Sequence, residues 1–136
     1  MSKQKTVMVG DVPFGGDNPI AYIMGPCQLE NRDHAMMMAE RVANACATNG
    51  SKFVFKTSYD KANRSSIPSA RGIGMDEGLC ILGEVRDTFG CPVITDVHEV
   101  NHCAPAAEVV DVIQIPAFLS RQTDLLLAAG NTGKPI

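Results

Sequence analysis

The sequence predicts an α/β fold in which parallel strands alternate with helices, as in the first half of a (β/α)8 barrel. After a short N-terminal hairpin, strand-like apolar runs alternate with amphipathic helical segments four times. Polar or reactive side chains end all four strands, as in barrel enzymes, whereas an open doubly wound sheet concentrates its site at one switch point. These side chains are Cys27, Gln28, Lys56, Asp96, His98 and Gln114. A barrel needs about 250 residues, so the 136 residues of this chain correspond to roughly half of one.

The opening segment "KTVMVGDVPFGGDNP" predicts a short strand, a turn at glycine and proline, and a returning strand within residues 1–19. A buried strand is expected over residues 20–25, closed by Pro26. Asn31 is a suitable N-cap for a helix that runs to about Thr48, because its side chain can accept a hydrogen bond from the first turn. Apolar residues at three- and four-residue spacing give this helix one buried face.

The alternation continues through the rest of the chain. Strands are expected at 52–56, 91–98 and 111–116, and helices at 74–90, 99–110 and 120–133. Pro105 is expected to interrupt the second of these helices, because proline lacks the N–H that an inner helical turn uses. Successive strand–helix units imply right-handed crossovers and parallel strands. We therefore expect one domain over residues 1–136, with the hairpin at 1–19 and half of the barrel at 20–136, ending before a fifth strand.

Composition argues against several classes of protein. The formal net charge is -3 and no run of like charge forms a tail, which argues against general nucleic-acid binding. Gly10 and Asp11 break the N-terminal apolar stretch, so we expect no signal peptide. No apolar run approaches the roughly 18 residues of a membrane span. Five scattered cysteines without a Cys-x-x-Cys pair are typical of reduced thiols in a cytoplasmic protein.

Positive charge is concentrated in the loop "FKTSYDKANRSSIPSARG", directly after a predicted strand. Residues 52–71 contain five cations and one carboxylate, whereas the rest of the chain has seven cations and fourteen carboxylates. Arg64 can hold a phosphate with two parallel N–H bonds, Lys61 can act as a mobile charge, and Asn63 and Ser65 add neutral donors. Most charge runs are solvated loops, but the position of this one and its Asn-Arg-Ser-Ser sequence favour phosphate binding.

The strand "ITDVHE" carries an acid and an imidazole. Asp96 and His98 are two residues apart, so they face the same side of an extended chain. Charged groups at the end of a buried strand must be paired or line a wet cavity. A histidine that shares a face with a carboxylate at such a position favours a functional role. His34 and His102 lack this context, and we expect them to be structural.

Three other positions leave alternatives open. Gln114 interrupts the apolar strand "DVIQIP", and a buried amide needs partners, so it either faces a substrate or holds a neighbouring loop. Arg121 either reaches an anion or pairs with Asp124 on the surface of its helix. A cysteine such as Cys27 is most often a small buried apolar residue. As a metal ligand it needs partners, and no spacing in the chain supplies them.

Taken together, these motifs resemble those of 3-deoxy-D-manno-octulosonate 8-phosphate synthase, also called 2-dehydro-3-deoxyphosphooctonate aldolase. The similarity covers essentially the whole chain from Ile20 onward. The segments that carry it are "GPCQLEN" (25–31), "FKTSYDKANRSS" (55–66), "RGIGMDEGL" (71–79), "ITDVHE" (94–99) and "DVIQIPAFLSRQTDLL" (111–126). The Lys-Ala-Asn-Arg-Ser-Ser run separates this family from the related synthase that uses erythrose 4-phosphate, whose motif here ends in Arg-Thr-Ser.

The resemblance implies a (β/α)8 barrel that condenses phosphoenolpyruvate with D-arabinose 5-phosphate and releases inorganic phosphate. The product is the eight-carbon sugar phosphate used for lipopolysaccharide in Gram-negative bacteria. The implied catalytic residues are Asp96, His98 and Lys61. The implied contacts to phosphoenolpyruvate are Lys56, Lys61, Gln114 and Ala117, and those to arabinose 5-phosphate are Asn63, Arg64 and Ser65.

Cysteine at position 27 is similar to the metal-dependent branch of the family, which binds a divalent zinc, iron or manganese ion; the other branch has asparagine. The remaining ligands of that branch, a histidine and two carboxylates, would lie beyond Ile136. The resemblance also implies a cytoplasmic homo-oligomer, a tetramer. Two alternatives are a half-barrel that only binds phosphates or self-associates, since an open sheet exposes two edges, and another phosphoenolpyruvate-condensing synthase, against which the Asn63–Arg64 pair argues.

Overall fold

A four-stranded parallel sheet is the centre of the structure, a computed structural model that describes residues 4–136. Residues 1–3 of the predicted hairpin segment lie outside this range. The strands are β1 (Val7–Val9), β2 (Val12–Phe14), β3 (Ala21–Met24), β4 (Lys52–Lys56), β5 (Val93–Asp96) and β6 (Val112–Gln114). The helices are α1 (Arg32–Thr48), α2 (Met75–Phe89), α3 (Val100–Val109) and α4 (Thr123–Gly130), with a 3-10 turn at Ala117–Leu119. None of these helices is both long and apolar enough to cross a membrane.

The sheet has the order β3-β4-β5-β6, and β1 pairs with β2 in a separate antiparallel hairpin. Every pairing in the four-stranded sheet is parallel, with Lys56 opposite Ile94 and Asp96 opposite Gln114. Neighbouring strands are consecutive along the chain and are joined through helices. This arrangement confirms the predicted α/β class and the parallel sheet. The closed barrel remains a prediction, as does the single domain over 1–136.

Alternation along the strands separates two apolar layers. Phe55, Val93 and Ile113 face the helices and pack in one cluster with Leu82 and Val85 of α2. Residues that alternate with them point to the other face, where the hairpin packs. This second cluster consists of Val9, Val12, Val54, Ile94 and Val112. The hairpin therefore covers the second face of the sheet near the amino ends of its strands.

The start of α1 and the end of α2 carry the capping residues that the sequence predicts. The side chain of Asn31 accepts a hydrogen bond of 2.9 Å from the His34 backbone N–H, as expected of an N-cap. Gly90 ends α2 in the left-handed conformation, with φ of 61°. The bidentate pair of Arg32 with Glu84 joins α1 to α2 on the surface.

The structure corrects four expectations about elements. β3 is not buried, because it lies at the edge of the sheet, where Tyr22 and Ile23 are 41% and 51% exposed. Pro105 does not interrupt α3, because its ring faces solvent and the carbonyl that loses a partner belongs to exposed Asn101. The last helix begins at Thr123 instead of residue 120, since a 3-10 turn occupies the preceding residues. β5 ends at Asp96, so His98 lies just beyond the strand.

Candidate functional site

Polar side chains collect at the carboxyl ends of β4, β5 and β6. The register sets Asp96 beside Gln114, and Lys56 one layer below them beside Ile94. Because side chains alternate along a strand, Lys56 and Asp96 point to the same face as Val54 and Ile94, away from the helices. Lys56 and Asp96 thus lie on the same face as this second apolar cluster, at the carboxyl ends of the strands.

Two lysines converge on a single hydroxyl in this region. The Nζ atoms of Lys56 and Lys61 lie 3.3 Å and 2.8 Å from Ser58 Oγ, to which both donate. Ser58 itself is fully buried. Burial lowers the pKa of Lys56, and the neighbouring Lys61 ammonium lowers it further. An anion between these two ammonium groups would relieve their repulsion.

Asp96 and His98 form a buried acid–imidazole pair. His98 Nε2 lies 3.2 Å from Asp96 Oδ2, and the two side chains are 6% and 8% exposed. Burial works to raise the pKa of Asp96, but contacts with the His98 imidazole and the Ser58 hydroxyl outweigh it, so the pKa lies below its ordinary value. Asp96 Oδ1 and His98 Nδ1 are both buried and have no hydrogen-bond partner among the described residues. Each atom remains able to bond a ligand or water.

Aromatic rings hold the His98 imidazole in place. Tyr59 meets it edge-on with ring centroids 5.9 Å apart, and Phe118 stacks against it at 6.4 Å. The Tyr59 hydroxyl lies 3.2 Å from His102 Nδ1, so His102 supports the ring that contacts His98. Burial raises the pKa of the Tyr59 phenol, which therefore stays protonated at neutral pH.

The basic loop presents one arginine at the same edge. Arg64 Nη2 donates to Gln28 Oε1 at 2.5 Å, and Arg64 Nε donates to the Ala70 carbonyl at 3.1 Å. Asn63 and Ser65 flank it and are exposed. The guanidinium is therefore oriented by two loops, yet it keeps free N–H groups for an anion.

Two of the five cations counted in this segment have other roles. Arg71 forms a bidentate pair with Asp60, at 2.8 Å and 2.5 Å, which joins the start of the loop to its end. Lys52 lies at the amino end of β4 and pairs with Asp11 of the hairpin turn at 2.6 Å. Of the segment's charge, Lys56, Lys61 and Arg64 remain available at the site edge.

The remaining predicted residues lie at the rim. Gln114 is half-buried next to Asp96, and its backbone carbonyl accepts a hydrogen bond from the Val97 backbone N–H at 3.1 Å. Ala117 is exposed on the 3-10 turn. No ion pair between Arg121 and Asp124 occurs within residues 4–136; both residues are exposed.

Cys27 follows β3 and its thiol is exposed. Over the range that the structure describes, no three histidine, cysteine, aspartate or glutamate side chains come together as a metal site. A stable site for zinc needs about four ligands, three of them from protein in a catalytic site. The donors present in residues 4–136 therefore do not fit a complete metal centre.

Sequence reasoning missed Ser58 and Tyr59. Ser58 continues the face of Val54 and Lys56 by the two-residue period, which is the signal that would have identified it. Tyr59 gave no such signal, because its partners His98 and His102 are about forty residues away in sequence and meet it only through the crossover between β4 and β5.

Comparison with known proteins assigns the chain to a family. Residues 2–136 match the model of the family described as DAHP synthetase I. Three curated relatives are each named 2-dehydro-3-deoxyphosphooctonate aldolase. The relative from Granulibacter bethesdensis is 55% identical over 132 residues, which is 97% of this chain and 47% of that protein.

The relative from Rhodopseudomonas palustris is 57% identical over 128 residues, or 94% of this chain and 45% of that protein. The relative from Methylobacterium radiotolerans is 54% identical over 140 residues, covering 100% of this chain and 49% of that protein. The chain spans about half the length of the curated relatives it matches.

Proposed function

Because the chain belongs to the DAHP synthetase I family, we propose that it carries part of the active site of an enzyme that condenses phosphoenolpyruvate with D-arabinose 5-phosphate. The products are 3-deoxy-D-manno-octulosonate 8-phosphate and inorganic phosphate. The names of the relatives support this reaction over the reactions of other members of the family. So does the Asn63–Arg64 pair, which the synthase for erythrose 4-phosphate lacks.

One observation carries the proposal: two lysines and a buried acid–imidazole pair meet at one end of the sheet. Lys56 and Lys61 share Ser58 Oγ, and Ser58 lowers the pKa of the Asp96 that contacts His98. Phosphoenolpyruvate carries a carboxylate and a phosphate, so paired ammonium groups suit it. Arg64, already oriented by Gln28, suits the phosphate of the sugar.

In the reaction, C3 of phosphoenolpyruvate forms a bond to the aldehyde carbon of the sugar, water adds at C2, and phosphate leaves with cleavage of its C–O bond. The aldehyde oxygen gains a proton as the bond forms. Because Asp96 is ionised and touches His98, the imidazole is the group that can hold that proton. Gln114 and Ala117 would contact the enolpyruvate side.

Holding the two substrates next to each other would account for much of the rate enhancement. Holding two anionic substrates in line converts a bimolecular reaction into an intramolecular one, worth about 7 kcal/mol or more. The fixed ammonium groups of Lys56 and Lys61 then stabilise charge as it moves onto the departing phosphate. The arrangement of this edge therefore supports roles for both lysines in binding and for Lys61 in catalysis.

A divalent metal, zinc, iron or manganese, is part of the proposal only through Cys27. The exposed thiol can supply one ligand, and further donors would have to come from elsewhere in a protein of the relatives' length. The donors within residues 4–136 do not complete a metal site. Metal analysis of Cys27→Asn beside the unchanged protein tests this role, because an equal metal content would exclude it.

We also propose a cytoplasmic homo-oligomer, a tetramer. Five free cysteines support a reducing compartment. Exposed apolar side chains support association, among them Phe118, Leu126 and Leu127 on and near α4. Light scattering coupled to size-exclusion chromatography measures the mass of the particle in solution directly. A monomer at micromolar concentration would contradict this part of the proposal.

The experiment that tests the reaction is phosphate release from phosphoenolpyruvate with each of two aldose phosphates. In a protein of the relatives' length that contains this chain, we expect release with arabinose 5-phosphate and little with erythrose 4-phosphate. The 136-residue chain by itself should release no phosphate, because it carries only part of the site. Preference for the four-carbon sugar would favour another condensing synthase. In the longer protein, binding of both substrates without release would favour the alternative in which this chain only binds phosphates.

A further inference from the structure

We infer that Ser58 is a positioning residue that holds the Lys56 and Lys61 ammonium groups on a common anion. This inference rests on the proposed function, because it assigns a further residue to the same site. Ser58 lies two residues after the end of β4, is fully buried, and accepts hydrogen bonds from both ammonium groups.

The bonding capacity of a hydroxyl fits this role. A serine oxygen can accept two hydrogen bonds and donate one. The ammonium groups of Lys56 and Lys61 use both acceptor positions of Ser58 Oγ, at 3.3 Å and 2.8 Å. The hydroxyl proton is then left to donate, for example to an anion held by the two lysines.

The register explains why these groups meet. Lys56 is opposite Ile94, so continuing the parallel pairing by two residues brings Ser58 level with Asp96. A further bridge pairs Ser58 with Gln28, and the Ser58 carbonyl accepts from the Leu29 backbone N–H at 2.9 Å. The backbone of Ser58 is therefore held by the segment that follows β3, and its side chain is a fixed acceptor for the two lysines.

Fixing the lysines has a direct consequence for affinity. Two ammonium groups close together repel each other, and in the absence of a common acceptor they would turn apart into solvent. A shared hydroxyl keeps both aimed at one point before an anion arrives, so less ordering remains for the binding step. Arg64 is oriented separately, by Gln28 and the Ala70 carbonyl, and does not depend on Ser58.

Calorimetric titration of two ligands tests the inference. In Ser58→Ala we expect the Kd for phosphoenolpyruvate to rise about tenfold or more, the usual size for a lost hydrogen bond to a charged group. The Kd for arabinose 5-phosphate should change less than threefold. Ser58→Thr keeps the hydroxyl and should recover most of the affinity for phosphoenolpyruvate. Ser51→Ala, at the opposite end of β4, is the matched control and should bind both ligands as the unchanged protein does.

The outcomes separate the two proposals. If the unchanged protein binds neither ligand, the proposed function fails and this inference fails with it. If the unchanged protein binds both and Ser58→Ala binds phosphoenolpyruvate equally well, only the inference is overturned. Equal weakening for both ligands, with a lowered melting temperature, would show that Ser58 is merely structural and would also overturn it.

Discussion

Gly78 shows how closely single residues are fitted around the candidate site. It lies in α2, where a Cβ atom would come within 2.4 Å of Tyr59 Cβ, an atom next to the backbone that has no freedom to move aside. Tyr59 in turn contacts the His98 ring. The absence of one side chain in α2 therefore lets the residue that supports the imidazole reach its place.

We predict that Gly78→Ala destabilises the protein by about 1–3 kcal/mol, the usual cost of overpacking. Urea denaturation measures the change. Gly83→Ala is the matched control in the same helix, because its Cβ would meet only Val109 Cγ1 at 3.6 Å, an ordinary contact. Alanine favours helix over glycine by up to about 1 kcal/mol, so this control should be neutral or stabilising. Equal stability of the two variants would contradict the packing described for Tyr59.

The Asp60–Arg71 ion pair is a second case in which individual residues affect stability, and its contribution to the free energy of unfolding depends on pH. The hydrogen bond from Arg71 holds the pKa of Asp60 below its ordinary value. A lowered folded-state pKa stabilises the protein above the unfolded pKa of about 3.9, and this stability is lost as the pH falls through the folded value.

We therefore predict that Asp60→Asn is less stable than the unchanged protein above about pH 5, and that the difference narrows below about pH 4. The difference should not exceed about 1 kcal/mol, because Arg71 is largely exposed to solvent. Urea midpoints between pH 3 and pH 7 measure it. Asp87→Asn, which removes an exposed partner of Arg86, is the control. A difference that grew on acidification would show that the sign is wrong.

At the scale of elements, the helix caps and the presence of each strand were more predictable than the residues that these elements contact in space. The N-cap of α1, the C-cap of α2 and all four strands of the sheet follow from local signals in the sequence. The 3-10 turn before α4 does not, because "PAFLSRQ" has no local feature that separates it from a helical turn. The candidate-site residues that the sequence identified are those where a charged side chain ends a strand, as Lys56 and Asp96 do. Ser58 escaped because a neutral hydroxyl becomes informative only once its neighbours in space are known.

We predict that Asn31→Ala lowers the free energy of unfolding by about 1 kcal/mol, because the first turn of α1 then loses its capping acceptor. Asn44→Ala provides the comparison, since Asn44 is an exposed residue inside the same helix and alanine is favourable there. Chemical denaturation of both variants measures the two changes in the free energy of unfolding. An equal loss in the two would mean that the cap contributes nothing specific.

At the scale of the whole molecule, the sheet is organised from its centre outward. β4 and β5 each have a strand on both sides, whereas β3 and β6 have one neighbour in the four-stranded sheet of the described chain. The alternation of elements along the sequence predicted this parallel sheet. Closure into a barrel stays a prediction, because the described chain forms four strands of such a sheet.

We predict that amide hydrogen exchange is slowest in β4 and β5 and fastest in the β1–β2 hairpin. Inner strands open only with the core, and a two-stranded hairpin is marginally stable by itself. Exchange followed by mass spectrometry of peptides compares these segments within one sample. Protection in the hairpin equal to that of β4 would indicate that the second apolar cluster holds it as firmly as the core.

The position of the hairpin also limits the direction from which a substrate can reach the candidate site. It packs where β4 and β5 begin, with Lys52 bonded to Asp11 and Pro92 against Gly10, and so blocks the end remote from Lys61. Under the proposed function, substrates would therefore reach Lys61 from the carboxyl ends of the strands, and released phosphate would compete with phosphoenolpyruvate for the same ammonium groups. Steady-state kinetics would then show product inhibition by phosphate that is competitive with phosphoenolpyruvate.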